Sequence, residues 1–266
     1  MRPVPSYPLG YQNATPASGR GDGHAPGPLR YGALMDVVLI PGFWLDADSW
    51  APVTAALAAA GHRPLPLSPW QLASFDPDRT VGLAAQVSAV VALIDELSGP
   101  VALVGHSGGG TIAHGAADQR VERVAHVVYV DTLPPIAGGS INTDLPVVDG
   151  KIPLPDWSVF DESDLRDLDE GLRADFAARA HPVPAGVASD PLTLTDPRRH
   201  DLPATLIACT FSAAQLHDLI AEGRPFVAEA AAMRHLDVVE LPTSHWPQLT
   251  RPAPLAAAVT AALSPS

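Results

Sequence analysis

The sequence predicts an α/β domain built on a mostly parallel, doubly wound sheet, with a helical insertion over one edge. Three observations carry that expectation. From Asp36 onward, short runs of β-branched and aliphatic residues alternate with longer stretches of helical spacing, the pattern of strands covered on both faces by crossover helices. One of those runs leads straight into Gly105-His106-Ser107-Gly108-Gly109 and then a further helix. Between Thr132 and Leu202 the alternation stops and no core strand is evident. A stretch of that length reads as a lid or cap, or else as a structural excursion with no gating role.

Taken in order, Asp36–Ile40 is an apolar run closed by Pro41-Gly42, a strand buried on both faces. Ser49–Ala60 has helical spacing and ends at Gly61, and His62–Leu67 is a weaker strand followed by a Pro-punctuated loop around 70–76. Thr80–Leu97 is a strongly amphipathic helix stopped by Gly99-Pro100. The Val101–Val104 strand and the Ser107 turn follow, with a helix over Thr111–Ala117. Val124–Val130 is a central strand ending in Asp131, and acidic helical segments lie between Glu162 and Ala180. Ala204–Cys209 and Leu236–Leu241 complete the sheet, and Pro254–Leu263 closes the chain as a helix. The insertion, at about 132–202, leaves the sheet just after Asp131 and so should lie over the carboxyl edge, where sheets of this kind bind ligands.

Residues 1–34 differ from the domain expected over 35–266. They are dense in Pro, Gly, Ser and Asn without apolar periodicity and read as a disordered extension. They lack the apolar core of roughly 7–15 residues that marks a secretory signal, so a cytoplasmic location is the default expectation.

Composition narrows the function classes. In a chain of 266 residues, 47% hydrophobic content supplies a large core, and no apolar run approaches the roughly 18 residues of a membrane span. A net charge of −13 disfavours nucleic acid and anionic membranes as partners, and otherwise reads as simple solubility. Cys209 is the sole cysteine, so neither an internal disulfide nor a thiolate-rich metal site is expected. No His and carboxylate cluster has metal-ligand spacing, and Pro41-Gly42-Phe43 after the first strand is not a dinucleotide-binding turn. No metal or cofactor is expected.

A strand that turns sharply into a helix with serine at its apex holds a hydroxyl exposed for attack, and the flanking glycines avoid steric collision there. Ser107 is therefore the candidate nucleophile. It needs a base, and His245 stands in the loop Leu241-Pro-Thr-Ser-His-Trp-Pro247 after the last strand. The other histidines are less well placed. His181 and His200 fall in the insertion, His217 and His235 in helical stretches, and His114 on the helix after Ser107, where it reads as packed.

On Val37-Val-Leu-Ile-Pro-Gly-Phe-Trp44, Gly105-His-Ser-Gly-Gly109 and Thr243-Ser-His-Trp246, the chain resembles the α/β hydrolases, in particular their small esterase and hydroxynitrile-lyase-like branch, from Asp36 to Leu263. The resemblance implies the chain order nucleophile, acid, histidine. It also implies an oxyanion hole from the N–H groups of Phe43 and Gly108, although Phe43 and Trp44 could equally form the pocket wall. Relatives usually read His-Gly where this chain has Pro41-Gly42.

The acid departs from the family. Relatives carry Asp after the strand matching Ala204–Cys209, but here that loop reads Thr210-Phe211-Ser212-Ala213 and Ser212 takes the aligned position. Asp131, one strand over, is the alternative, unless it only caps a turn at its strand end. Asp218 is a distant second.

The resemblance implies a serine hydrolase cleaving a carboxylic ester, lactone or thioester of a small apolar molecule through an acyl-enzyme. Haloalkane dehalogenases and epoxide hydrolases of this fold need an Asp where Ser107 stands. The rival, motivated by the displaced acid, is a protein of the same fold that does not hydrolyse: a lyase, a cyclase or a ligand receptor. A hydroxynitrile lyase would need a pocket lysine, and only Lys151 is available. Trp44, Trp157 and Phe211, with Phe160, are the candidate substrate-binding residues.

Overall fold

A computed structural model describes residues 34–68 and 81–264 of the chain. All but the last residue of the expected N-terminal extension, the loop around 70–76 and Thr80 lie outside the described residues.

Six parallel strands form one sheet: β1 (Asp36–Ile40), β2 (Arg63–Pro66), β3 (Val101–His106), β4 (Val124–Val130), β7 (Ala204–Ala208) and β8 (Leu236–Glu240), in the order β2-β1-β3-β4-β7-β8. A separate antiparallel pair of two-residue strands, β5 (Lys151–Ile152) with β6 (Val183–Pro184), lies in the insertion. The alternation within each strand assigns the faces. Val37 and Leu39 of β1 pack with Ala102, Val104 and Ile207 beneath α1 (Ala51–Ala59) and α9 (Pro252–Ala262). Val38 and Ile40 point the other way, with Leu103, Tyr129 and Leu206, toward α2 (Leu83–Glu96) and α3 (Gly108–Gln119). Central strands are therefore largely buried and mostly apolar on both faces, while the outermost strands are partly exposed. β2 carries two prolines, a composition that only an edge strand tolerates. Its pairing with β1 is flanked by bonds from Arg63 N–H to the Met35 carbonyl and from Leu67 N–H to the Leu39 carbonyl, each 2.9 Å.

Strand order places the site. From β1 the chain steps outward to β2, then crosses back to β3 on the other side of β1. The loops leaving β1 and β3 diverge at this switch point, and the crevice between them is where open sheets hold ligands.

The insertion between β4 and β7 holds the β5–β6 pair, α4 (Glu170–Arg179), α5 (Ala185–Ser189) and 3-10 turns at Trp157–Val159 and Pro197–Asp201. It is helical over less of the 162–180 segment than expected, because residues 162–167 are turns. Its far end is clamped to α3. Buried Asp118 accepts the N–H groups of Thr195 (2.8 Å) and Asp196 (2.9 Å), and Arg199 bridges Asp118 to Glu229 of α7 (Ala228–Ala232). His114 belongs to the same network, packed as expected, with Nδ1 2.6 Å from the Tyr129 hydroxyl and Nε2 3.1 Å from Glu229.

Several boundaries differ from the sequence reading. Ser49–Ala60 is split, with a 3-10 turn over Ala47–Trp50 ahead of α1. Helix α3 begins at Gly108 rather than Thr111, because consecutive glycines let the helix start at the strand end without steric conflict. His235 lies in a bend just before β8, not in a helix.

Among the described residues, the glycine held most tightly against backbone atoms lies where α3 meets the end of β1. A Cβ on Gly109 would lie 2.5 Å from the Pro41 carbonyl and closer still to that of Ile40, and neither backbone oxygen can give way cheaply. Gly109→Ala is expected to cost about 1–3 kcal/mol, a fall in Tm of roughly 4–10 °C by thermal melt. Gly99→Ala, where a Cβ meets nothing within 4 Å, serves as the control and should leave Tm within about 2 °C. Equal melting of the two variants would contradict this packing.

Candidate active site

Three chain turns at the carboxyl edge of the sheet are held at positive φ without glycine: Trp44 (65°), Ser107 (51°) and Asp131 (46°). Such residues cost of order 1–3 kcal/mol each and persist only where the surroundings over-determine them. At Ser107 the surroundings are the end of β3 and the start of α3. Ser107 N–H donates to the Val130 carbonyl (3.1 Å) and its own carbonyl accepts from Gly110 N–H (2.8 Å). A Cβ on Gly105 would lie 2.5 Å from backbone atoms of Gly109 and Gly110, so the reversal closes only because that position is glycine. The Ser107 hydroxyl is left projecting at the helix N-terminus.

Asp131 ends β4 and is completely buried (0% exposed). Its Oδ1 accepts the backbone N–H groups of Cys209 (2.8 Å) and Thr210 (2.9 Å), and the Thr210 hydroxyl donates to both oxygens (3.0 and 3.1 Å). Oδ2 lies 2.7 Å from Nδ1 of His245. On the other side of the imidazole, Nε2 lies 2.9 Å from Ser107 Oγ. A carboxylate can only accept, so Nδ1 carries the proton, and Nε2 is left bare to accept from the serine hydroxyl. The structure thus brings Ser107, His245 and Asp131 into one hydrogen-bonded line.

The main chain of His245 is fixed as firmly as its ring. Its N–H donates to the Asp164 carbonyl in the insertion (3.0 Å), and its carbonyl accepts from Nε2–H of His106 (2.6 Å). Burial, with His245 close by, pushes the His106 pKa down to about 3, so His106 is a neutral donor near neutrality.

Charges reinforce the geometry. Burial works to lower the His245 pKa, but the hydrogen bond and negative charge of Asp131, with Asp164 beyond it, outweigh burial and raise it above the ordinary value. Burial likewise works to raise Asp131, yet the His245 bond and the backbone donors hold it below the usual carboxylate range. Asp164, buried and with few donors, is raised.

A narrow pocket opens onto Ser107 and His245. Its walls are Phe43 and Trp44 from the loop after β1, Ile141, Asn142 and Leu145 from the insertion, and Trp246. The Phe43 ring lies against the elbow, since a Cβ on Gly108 would sit 2.6 Å from it. Gly108 is the first residue of α3, so its N–H has no acceptor within the helix. Trp44 is held in its strained turn by the insertion: its carbonyl accepts His181 N–H (3.1 Å), and its indole N–H donates to the Ile152 carbonyl (3.2 Å).

Of the candidate substrate-binding residues, Trp44 lines the pocket while Trp157 and Phe211 do not. Trp157 stands one layer back, edge-on to Trp246 at 6.0 Å, with Phe160 and Phe176 completing an aromatic cluster. Phe211 is half-buried against the core. Its loop turns aside to begin α6 (Ala213–Ala221), where Ser212 is the N-cap in a reciprocal bond pair with Gln215. Ser212 is thus a helix cap, and Asp218 is exposed on that helix. Lys151 is exposed on β5 and away from the pocket lining. Ile141, Asn142, Leu145 and Trp246 are the wall residues sequence reasoning did not assign. Only Trp246, adjacent to His245, carried a signal.

Among the described residues no group of three or more His, Cys, Asp or Glu side chains is arranged to hold a metal ion, and no helix is long and apolar enough to cross a membrane.

Comparison with known proteins agrees with the topology. Residues 37–258 match the model of the alpha/beta hydrolase family. A carbendazim hydrolyzing esterase of Nocardioides sp. (strain SG-4G) is 32% identical over 117 residues, 42% of this chain and 48% of that protein, so the chain spans about half the length of this curated relative. Among solved structures, an extracellular alpha/beta-hydrolase from a Paenibacillus species is similar with a TM-score of 0.68 at 20% identity, covering 86% of this chain and 98% of the other. A pyrethroid hydrolase from Sphingobium faniae JZ-2 gives 0.61 at 19%, covering 87% and 98%.

The raised His245 pKa has a definite sign. Asp131 stabilises the imidazolium, so the wild-type ring should titrate above the ordinary value of about 6.5. In Asp131→Asn that stabilisation is lost while burial persists, and titration should move to lower pH. Histidine titration by NMR reads both values. An unchanged pKa in the variant would contradict the pairing.

Proposed function

Because the chain belongs to the alpha/beta hydrolase family, we propose that it is a serine hydrolase that cleaves a carboxylic ester, lactone or thioester of a small, fairly apolar molecule. The observation that carries this reading is the single imidazole bonded at once to Ser107 Oγ (2.9 Å) and to the buried carboxylate of Asp131 (2.7 Å). The names of the similar proteins, an esterase and hydrolases, support the same class.

In this reading Ser107 Oγ attacks the substrate carbonyl carbon as His245 Nε2 takes the hydroxyl proton. The imidazolium is stabilised by Asp131, which keeps its negative charge throughout. Charge developing on the carbonyl oxygen is met by the backbone N–H groups of Phe43 and Gly108, the latter at a helix N-terminus. His245 then returns the proton to the departing alcohol or thiol, leaving an acyl group on Ser107. Water, deprotonated by the same imidazole, attacks that acyl group, and the returning proton regenerates the serine. The insertion acts as the cap: it supplies Ile141, Asn142 and Leu145 of the pocket wall and shields the acyl-enzyme from bulk water.

The non-hydrolytic alternative drew its force from the missing carboxylate after β7. Asp131 at 2.7 Å from His245 removes that motivation, and the exposed position of Lys151 gives a lyase mechanism no pocket lysine.

A fluorophosphonate probe should label the folded protein once, at Ser107 by peptide mass spectrometry, and Ser107→Ala should not be labelled. Asp131→Asn should keep the fold and lower kcat toward a short-chain ester by about 10³–10⁴-fold. Absence of a Ser107 adduct, or full activity in Asp131→Asn, would overturn the assignment.

A further inference from the structure

Among the described residues, and apart from Ser107 and His245, the pocket is lined by one polar side chain, Asn142; the other walls are apolar or aromatic. Asn142 is buried in the insertion at 9% exposure and anchored twice. Its N–H donates to the Ala188 carbonyl of α5 (3.0 Å), and its Oδ1 accepts Asp144 N–H (2.8 Å) in an Asx turn. Because a backbone N–H must meet an oxygen, the second bond settles which way the amide faces: Oδ1 is committed to Asp144, and Nδ2 is the other arm. Among the described residues Nδ2 makes no hydrogen bond.

A buried amide donor beside an apolar pocket is costly when the pocket fills with hydrocarbon, because its water partner is displaced and not replaced. A ligand with an acceptor oxygen at that height avoids this loss, so the unmatched donor discriminates between molecules of the same shape. We infer that Nδ2 of Asn142 is a specificity contact that binds an ether, carbonyl or hydroxyl oxygen of the substrate other than its scissile carboxyl group. The preferred substrates are then small esters carrying a further oxygen, rather than plain alkyl esters of equal size. The inference deepens the serine-hydrolase reading and rests on it only for which bond is cleaved; the binding contact itself needs no turnover.

The test therefore separates binding from chemistry. In Ser107→Ala protein, which cannot form the acyl-enzyme, affinities are measured by quenching of the pocket tryptophans Trp44 and Trp246. Two pairs that differ by one oxygen for one methylene are compared: ethyl methoxyacetate against ethyl butanoate, and 2-methoxyethyl acetate against butyl acetate. The oxygen-bearing member of at least one pair should bind more tightly. That advantage should fall about tenfold when Asn142→Asp, which keeps the acceptor of the Asx turn but loses the amide donor, is added. Asn142→Leu should lose it as well. If neither pair shows an oxygen preference, or the preference survives both substitutions, the inference is overturned and Asn142 is only a turn-former. An oxygen preference that depends on Asn142, together with failure of Ser107 to label with fluorophosphonate, would uphold the contact and overturn the hydrolase reading instead.

Discussion

The carboxyl edge of this domain depends on one buried charge. Ionising Asp131 without partners would cost several kcal/mol, and the surrounding chain is arranged to prevent that. Parallel pairing of β4 with β7 sets Val130 opposite Ile207, and Asp131 N–H extends the ladder to the Ile207 carbonyl (2.8 Å). That register brings the next two amides of the β7 strand end, Cys209 and Thr210, to the carboxylate. The loop after β7 thus acts as the cradle for a carboxylate from the neighbouring strand. With one oxygen largely taken up by that cradle, the other is aimed at His245.

The insertion completes the site. Its Asp164 carbonyl holds the His245 amide, and its Ile152 carbonyl and His181 amide hold Trp44 in a turn that a tryptophan would not adopt unaided. Phe160 packs edge-on between Trp44 and Trp246, with ring centroids at 5.8 and 5.1 Å. Displacing the insertion would therefore loosen both the loop after β1 and the loop carrying His245. The clamp of Thr195 and Asp196 on Asp118 anchors its far end to the same helix that begins beside Ser107. Ser107, His245 and the pocket wall belong to one packed unit, although they arise from distant parts of the chain.

Much of this was legible in the sequence, for physical reasons that differ by element. Strands buried on both faces leave near-continuous apolar runs, so β1, β4 and β7 could be read almost to the residue. The Ser107 turn is local, its glycines forced by backbone contact, and it too stands out in the sequence. Asp131 was legible because it ends the strand beside that of Ser107, within reach of the His245 loop, while the loop after β7 offers no carboxylate. The pocket was far less so. Trp157 and Phe211 are aromatic and near the site in sequence terms, but the first stacks behind Trp246 and the second turns away where Ser212 caps α6. Ile141, Asn142 and Leu145 sit in a segment without period, whose placement is set by long-range hydrogen bonds that no local pattern reports. The short helical span within 162–180 has the same cause: capping by Asp169 starts α4 at Glu170, and the acidic residues before it serve turns.

The most direct test of the account is a crystal structure of the protein with a phosphonate bonded to Ser107. The phosphonyl oxygen should lie about 3 Å from the N–H groups of both Phe43 and Gly108, with His245 still bonded through Nδ1 to Asp131. A phosphonyl oxygen turned toward solvent, or a His245 ring that has left Asp131 for another carboxylate such as Asp164, would contradict it.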